Sequence, residues 1–186
     1  MPLTKDTLAK FRTGNVFFET GTYKGEGIER ALAAGFSKIY SVEVDQNWVD
    51  FAIAKFREHV DSGRVKIIKG DTKQIMGDVL KEINEPITFW LDAHWDLGPV
   101  KGETDNPLYD ELAFIKSHPV KTHLIMIDDM RLMGADAYHW GKTMRRDKII
   151  SDIMTINPSY KITYTDGDLG PQYGGLAKND IMVAHL

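Results

Sequence analysis

Seven short apolar runs recur along the chain: NVFFET (15–20), KIYSVEV (38–44), RVKIIKG (64–70), ITFWLDA (87–93), THLIMIDD (122–129), YKITYT (160–165) and DIMVAHL (180–186). Each has strand length and is rich in β-branched and aromatic residues, so each predicts a β-strand. The segments between them space their apolar residues differently. Ile28, Ala31, Leu32 and Gly35 recur at helical spacing, as do Trp48, Phe51, Ala52, Lys55 and Phe56, where the Lys55 stem can cover apolar surface. Further helices are predicted over 72–84, 107–117 and about 141–155, with about one short helix before the first strand. Residues 166–179, DGDLGPQYGGLAKN, hold Gly, Pro, Asp and Asn without a helical pattern and read as a loop. Helices join the first five strands, which should then run parallel; a loop joins the last two, which makes them antiparallel neighbours. The expected fold is α/β: a Rossmann-like, doubly wound, seven-stranded sheet, mostly parallel with an antiparallel last strand. No repeat, low-complexity tract or linker interrupts it, so residues 1–186 read as a single domain.

In such a sheet, ligands bind at the carboxyl ends of the strands, near the switch point. After strand one comes Glu19-Thr20-Gly21-Thr22-Tyr23-Lys24-Gly25-Glu26-Gly27. Glycines there permit unusual backbone angles and a close approach to a ligand. The first amides of the following helix offer donors to an anionic group such as a carboxylate. Gly25 and Gly27 fit the first two positions of a G-x-G-x-x-G dinucleotide fingerprint, but Arg30 occupies the third. The Gly-Lys-Thr at 141–143 has Asp136 where a phosphate loop needs its upstream glycine. After strand two come Glu43 and Asp45, about 20 residues beyond the glycine turn, where an acid can accept bonds from both ribose hydroxyls; the plainer alternative is an exposed carboxylate at a strand end. After strand three, Asp71 or Thr72 either caps the next helix or bonds an adenine edge, and one residue could do both.

Asp92 follows strand four, and Asp128 and Asp129 follow strand five. If those strands are neighbours, the three carboxylates converge, repel one another and titrate high. A hard cation, Mg²⁺ or Ca²⁺, resolves that conflict; the alternative is one capping Asp and two facing water. His94, two residues past Asp92, is a candidate base near neutral pH or a structural histidine. His139 and Lys142 are weaker base candidates. Residues 93–106, AHWDLGPVKGETDN, form a long connection of the kind that makes lids, with Trp95 lining an acceptor pocket or packing the loop down.

Composition removes several classes. No cysteine is present, which excludes disulfides and thiolate metal sites and fits a cytoplasmic protein. The first residues, MPLTKDTLAKF, lack the apolar core of a signal peptide, and no run approaches the roughly 20 residues of a membrane span. A net charge of −4 argues against nucleic acid or anionic membrane as partner. Locally KTMRRDK (142–148) is cationic, either a solvated helix face or a site for an anionic partner.

Together the glycine turn, Glu43, the GDT triplet and the three aspartates resemble class I S-adenosylmethionine-dependent methyltransferases, and more narrowly the metal-dependent O-methyltransferase branch that includes the catechol and macrolide-sugar enzymes. The branch's E-x-G-x-Y-x-G-x-S loop is matched by Glu19, Gly21, Tyr23 and Gly25, with Gly27 in place of the serine. The resemblance covers about residues 15 to 130. It implies S-adenosylmethionine as cofactor, held by Glu19, Gly21, Thr22, Tyr23, Gly25, Gly27, Glu43, Asp71, Thr72 and Asp92. It also implies a metal, Mg²⁺ first, on Asp92, Asp128 and Asp129. The acceptor would be a small hydroxylated molecule, with catalysis by His94 and Asp92. Two features depart from the branch. No lysine follows Asp92 before Lys101, and the chain begins almost directly at strand one, which reduces the acceptor cover and leaves a place for a homodimer partner. Three other readings compete. One is a cofactor-binding protein that senses or cleaves S-adenosylmethionine without transfer. A nicotinamide oxidoreductase is disfavoured by Arg30. A nucleic-acid methyltransferase is disfavoured by charge and by the missing Asn/Asp-Pro-Pro-Tyr motif after strand four.

Overall fold

The computed structural model describes residues 3–95, 97–136, 138–171 and 174–186. Among them, seven strands form one sheet: β1 (Val16–Thr20), β2 (Lys38–Glu43), β3 (Val65–Lys69), β4 (Ile87–Leu91), β5 (Leu124–Ile127), β6 (Lys161–Asp168) and β7 (Leu176–His185). Their order is β3-β2-β1-β4-β5-β7-β6, with β1 to β5 parallel and β7 antiparallel to both β5 and β6. The chain reverses its winding between β1 and β4, so the crevice for a ligand lies there.

Both faces of the sheet are covered, as a parallel sheet requires. Successive residues of each strand enter opposite cores. Phe18, Tyr40, Phe89 and Ile127 belong to one apolar cluster, and Phe17, Ile39, Trp90 and Met126 to the other. The first face is closed by α5 (Thr72–Leu80), α6 (Leu108–Ser117) and α7 (Arg146–Ile156), through Met76, Leu112 and Ile153. The second is closed by α1 (Lys5–Phe11), α2 (Glu26–Ala33) and α3 (Gln46–Lys55), through Leu8, Ile28 and Ala52; α4 (Arg57–Asp61) follows α3. Polar side chains start three of the helices: Thr4, Asp45 and Asp71 each accept a first-turn amide, and of these only Asp71 was foreseen as a cap, while Asp45 is buried rather than exposed at its strand end.

Three boundaries differ from the sequence pattern. The helix expected over 141–155 begins at Arg146, because Gly141 makes a 3-10 turn in which a Cβ would lie 2.5 Å from the Leu132 and Ala135 carbonyls. The helix expected to 84 ends at Leu80. The last hairpin runs longer than its apolar core: β6 and β7 pair as far as Asp168 and Leu176, across a register shift between Thr165 and Gly167. Part of 166–179 is therefore strand, while Gln172 and Tyr173 of that segment lie outside the described residues.

Candidate cofactor and acceptor site

Register brings the candidate residues into one row. Thr20 pairs with Val42 and with Leu91, and Leu91 pairs with Ile127. The next residue of each strand is Gly21, Glu43, Asp92 and Asp128.

The turn after β1 is built for close approach. Gly21 has φ +85°, and a Cβ there would stand 2.8 Å from the Asp92 carbonyl oxygen. Gly25, at φ +75°, heads α2, and a Cβ on it would meet the Phe56 ring at 2.4 Å. Gly27 is buried in the first turn of that helix. Between them Tyr23 takes a left-handed φ of +45° although it carries a side chain, a strain held by its amide donating to Glu43 Oε2 at 2.8 Å. The Tyr23 ring is exposed and meets Trp48 edge-on at 4.5 Å. Glu43 Oε1 accepts the Asp45 amide at 2.8 Å, so this carboxylate fastens the turn to the end of β2 while keeping lone pairs for hydroxyl donors.

Glu19 lies fully buried beneath the turn. Ser41 Oγ donates to its Oε1 at 2.6 Å, and Thr22 Oγ1 stands 2.5 Å from Ser41. Its Oε2 has no partner. Burial pushes the Glu19 carboxyl up to about 8, against the Ser41 bond. A buried acid with a free oxygen under a glycine cradle suits a cationic ammonium group.

Asp71 takes the capping alternative. Its Oδ1 accepts the Lys73 amide at 2.9 Å, and its Oδ2 accepts the Glu103 amide at 2.6 Å, which ties the 93–106 connection to α5. Thr72 is buried, and it and Thr20 lie near enough to Glu111 to offset part of the effect of burial on that carboxyl. Glu111 on α6 went unnoticed in the sequence. It is buried, its Oε1 is unpartnered, and burial pushes it to about 8. It lines a narrow cleft with Asp92, His94, Asn106 and Asp128.

β4 and β5 are neighbours, and Asp129 comes close to Asp92 on one side and to Asp128 on the other, but the expected trio of Asp92, Asp128 and Asp129 does not form one group of ligand atoms. His94 bridges two of them: Nδ1 is 3.5 Å from Asp92 Oδ1 and Nε2 is 3.0 Å from Asp129 Oδ2. Asp129 has φ +57°, and its amide donates to Asp128 Oδ1 at 2.7 Å. Asp180 of β7 is a fourth, unforeseen member, fully buried, and with Asp128 and Asp129 it forms a second group of converging carboxylate oxygens. The signal for it was an acid heading the buried run DIMVAHL, legible only once β7 is placed beside β5. Arg131 Nη1 contacts Asp129 and Asp180 and offsets part of the negative charge. Burial first, then Asp129, holds Asp92 well above the usual carboxylate range; burial, then Asp92 and Asp129, does the same to Asp128. Asp92, His94 and Asp129 present their ligand atoms within 4.8 Å of one another. The carboxylates among them suit an oxygen-seeking divalent cation, with His94 left beside it as a candidate base.

Aromatic rings wall the cluster. His94 lies 4.9 Å from Trp140, which is buried with Nε1 unpartnered, and Trp95 lies 5.4 Å from His139. Trp95 packs the loop down: its amide donates to the Asp105 carbonyl and its Nε1 to that of Gly98. His139 thus stands at the junction of the two connections, and Lys142 pairs with Asp136 on the surface.

No family profile matches the chain, and no curated protein matches it. Solved structures do. It resembles the Podospora anserina methyltransferase PaMTH1 bound to S-adenosylhomocysteine, at TM-score 0.63 and 15% identity over 97% of this chain and 75% of that one. A Bacillus cereus O-methyltransferase, also bound to S-adenosylhomocysteine, is similar at TM-score 0.63 and 15% identity, over 98% and 78% of the two chains. A candidate rRNA-methylase from Clostridium thermocellum is similar at TM-score 0.62 and 13% identity, over 97% and 92%. At such identities the likeness is one of fold, and the chain has the seven-stranded Rossmann-like fold of class I methyltransferases.

Proposed function

We propose that the protein is an S-adenosylmethionine-dependent methyltransferase acting, with a divalent cation such as Mg²⁺, on a hydroxyl group of a small molecule. The observation that carries this reading is the row of strand ends, where a glycine cradle over the free oxygen of Glu19 adjoins two acidic groups that share Asp129: Asp92 with His94, and Asp128 with Asp180. The Gly21–Gly27 backbone and Glu19 would hold the amino-acid end of the cofactor, and Glu43 its ribose. When bound, the cofactor supplies an activated methyl group and the cation supplies charge that lowers the pKa of a hydroxyl. His94, beside Asp92 and Asp129, would take the proton of a hydroxyl that the site holds in line with the methyl donor. Holding the two reactants in line contributes much of the rate. Asp71 caps α5 and ties down the loop, and like Glu43 it keeps lone pairs, with which it or Thr72 would meet an adenine edge. A cytoplasmic location and a homodimer belong to the same proposal; among the described residues no helix is long and apolar enough to cross a membrane.

Calorimetric titration with S-adenosylhomocysteine, with and without Mg²⁺, tests the cofactor site, and mass spectrometry of a hydroxyl-compound panel tests transfer. Micromolar binding and a product heavier by one methylene support the proposal; no binding under either condition overturns it. One observation favours a second reading, a chain that binds the cofactor to sense or cleave it: Arg131 already supplies a cation to Asp129 and Asp180. Cofactor binding with no methylated product and no effect of Mg²⁺ would select that reading.

A further inference from the structure

Beside the acidic cluster lies an open hollow of about 490 Å³ whose wall includes Arg131, Arg145 and Arg146, with Met133, Gly134 and Asp147 among the rest. Its charges are unequally matched. Arg131 contacts Asp129 and Asp180, and Arg145 pairs with Asp147 at 2.5 Å. Arg146 donates to the Met130 carbonyl at 2.6 Å, a neutral acceptor that leaves its charge in place. Arg145 and Arg146 also stand at the very start of α7, where the helix dipole is positive and acids are the favoured residues. Arg145 is offset by Asp147 in the first turn, which leaves the Arg146 charge, on an open surface, for an oxyanion to meet through charge-assisted bonds. The cationic stretch KTMRRDK, unused by the reaction above, is the sequence trace of this hollow. Three arginines around one hollow in a chain of net charge −4 suit a small anion better than a nucleic-acid backbone, which needs an extended basic track.

We propose that this hollow binds a phosphate group carried by a small molecule. Arg131 belongs to the hollow and also contacts Asp129, so the phosphate bearer is the methyl acceptor itself; that second step rests on the methyltransferase reading, whereas the anion site does not. The test is titration with inorganic phosphate at constant ionic strength, followed by calorimetry and phosphorus NMR, on the parent protein and on Arg145→Gln and Arg146→Gln. Malonate and a short RNA serve as rival ligands, and S-adenosylhomocysteine binding is measured in parallel. Saturable phosphate binding that weakens about tenfold or more in Arg146→Gln, with S-adenosylhomocysteine affinity unchanged, is the expected result. Arg145→Gln alters a side chain 68% exposed and carries the same expectation should Arg146→Gln fail to fold. Absence of saturable binding, equal binding by parent and variants, or preference for malonate or RNA would overturn the phosphate site. Phosphate binding without S-adenosylhomocysteine binding would uphold the site and remove its link to methyl transfer.

Discussion

Glu19 and Glu43 look alike in the sequence and differ in what the fold asks of them. Glu43 has both oxygens engaged by backbone amides, so Glu43→Ala leaves the Tyr23 and Asp45 amides without their acceptor. We expect it to cost about 2 kcal/mol, or roughly 4–8 °C in Tm, besides weakening cofactor binding; an unchanged melting curve would show that the turn does not depend on this staple. Glu19 keeps one oxygen free, so Glu19→Gln retains the Ser41 bond and the shape while losing the charge. S-adenosylhomocysteine affinity should fall by about tenfold or more with folding intact. Equal affinity would mean that the ammonium group is held elsewhere. Asp128→Asn keeps an acceptor for the Asp129 amide and removes one charge from the cluster. Divalent-cation binding should drop by about tenfold or more, read from Mn²⁺ titration, with cofactor affinity in the absence of metal unaltered.

The element that matters most is the turn from β1 into α2, because its geometry leaves no room for a side chain. Gly21→Ala adds a methyl 2.8 Å from a backbone carbonyl at a left-handed φ, whereas Gly63→Ala meets the same kind of φ with open space around it. Chemical unfolding should show a loss of about 1 kcal/mol for Gly63→Ala and at least twice that for Gly21→Ala, with cofactor binding lost only in the latter. Comparable losses would mean that the cradle yields to a methyl group. This turn was legible in the sequence because its glycines are spaced for it. The 3-10 turn at Gly141–Thr143 was not, since nothing local announces the Leu132 and Ala135 carbonyls that fill the space beside Gly141. The β6–β7 hairpin outran its prediction for a related reason: Asp168, Leu176 and their neighbours pair through main-chain bonds on an exposed ribbon, where side-chain pattern carries little information.

Across the whole molecule, buried ionisable groups set opposing pH limits. Glu19 and Glu111 have folded-state values raised from 4.5 to about 8, so the folded protein holds protons that the unfolded chain releases. The stability they contribute is complete below about 4.5 and is lost as pH rises toward about 8. His123 works from the acid side. It accepts the Ile87 amide through Nδ1 and lies 3.1 Å from His118, whose other nitrogen reaches the Ile83 carbonyl. Burial, then His118, lowers His123 from 6.5 to about 4, so its contribution is present above 6.5 and lost as pH falls toward 4. The unliganded protein should therefore melt at a lower temperature at pH 8 than at pH 5.5, and cofactor should narrow that difference by stabilising ionised Glu19. A higher melting temperature at pH 8 without ligand would contradict the buried carboxylates.

Local pattern determined the strand and helix sequence, the glycine turn and the presence of acids after β2, β4 and β5, because side-chain periodicity and backbone permissiveness are properties of neighbouring residues. It could not assign partners to those acids. Asp71 and Glu43 are occupied by amides from Glu103 and Tyr23, far away in the chain. Asp180 and Glu111 enter the site only because β7 lies against β5 and α6 against the crevice. Charge balance was equally a tertiary matter: Arg131 reaches back to Asp129 and across to Asp180, while among the described residues Arg146 meets the Met130 carbonyl and no carboxylate. Which side chains meet, and which are left without a partner for a ligand to satisfy, depends on distances that the fold sets and the linear order does not contain.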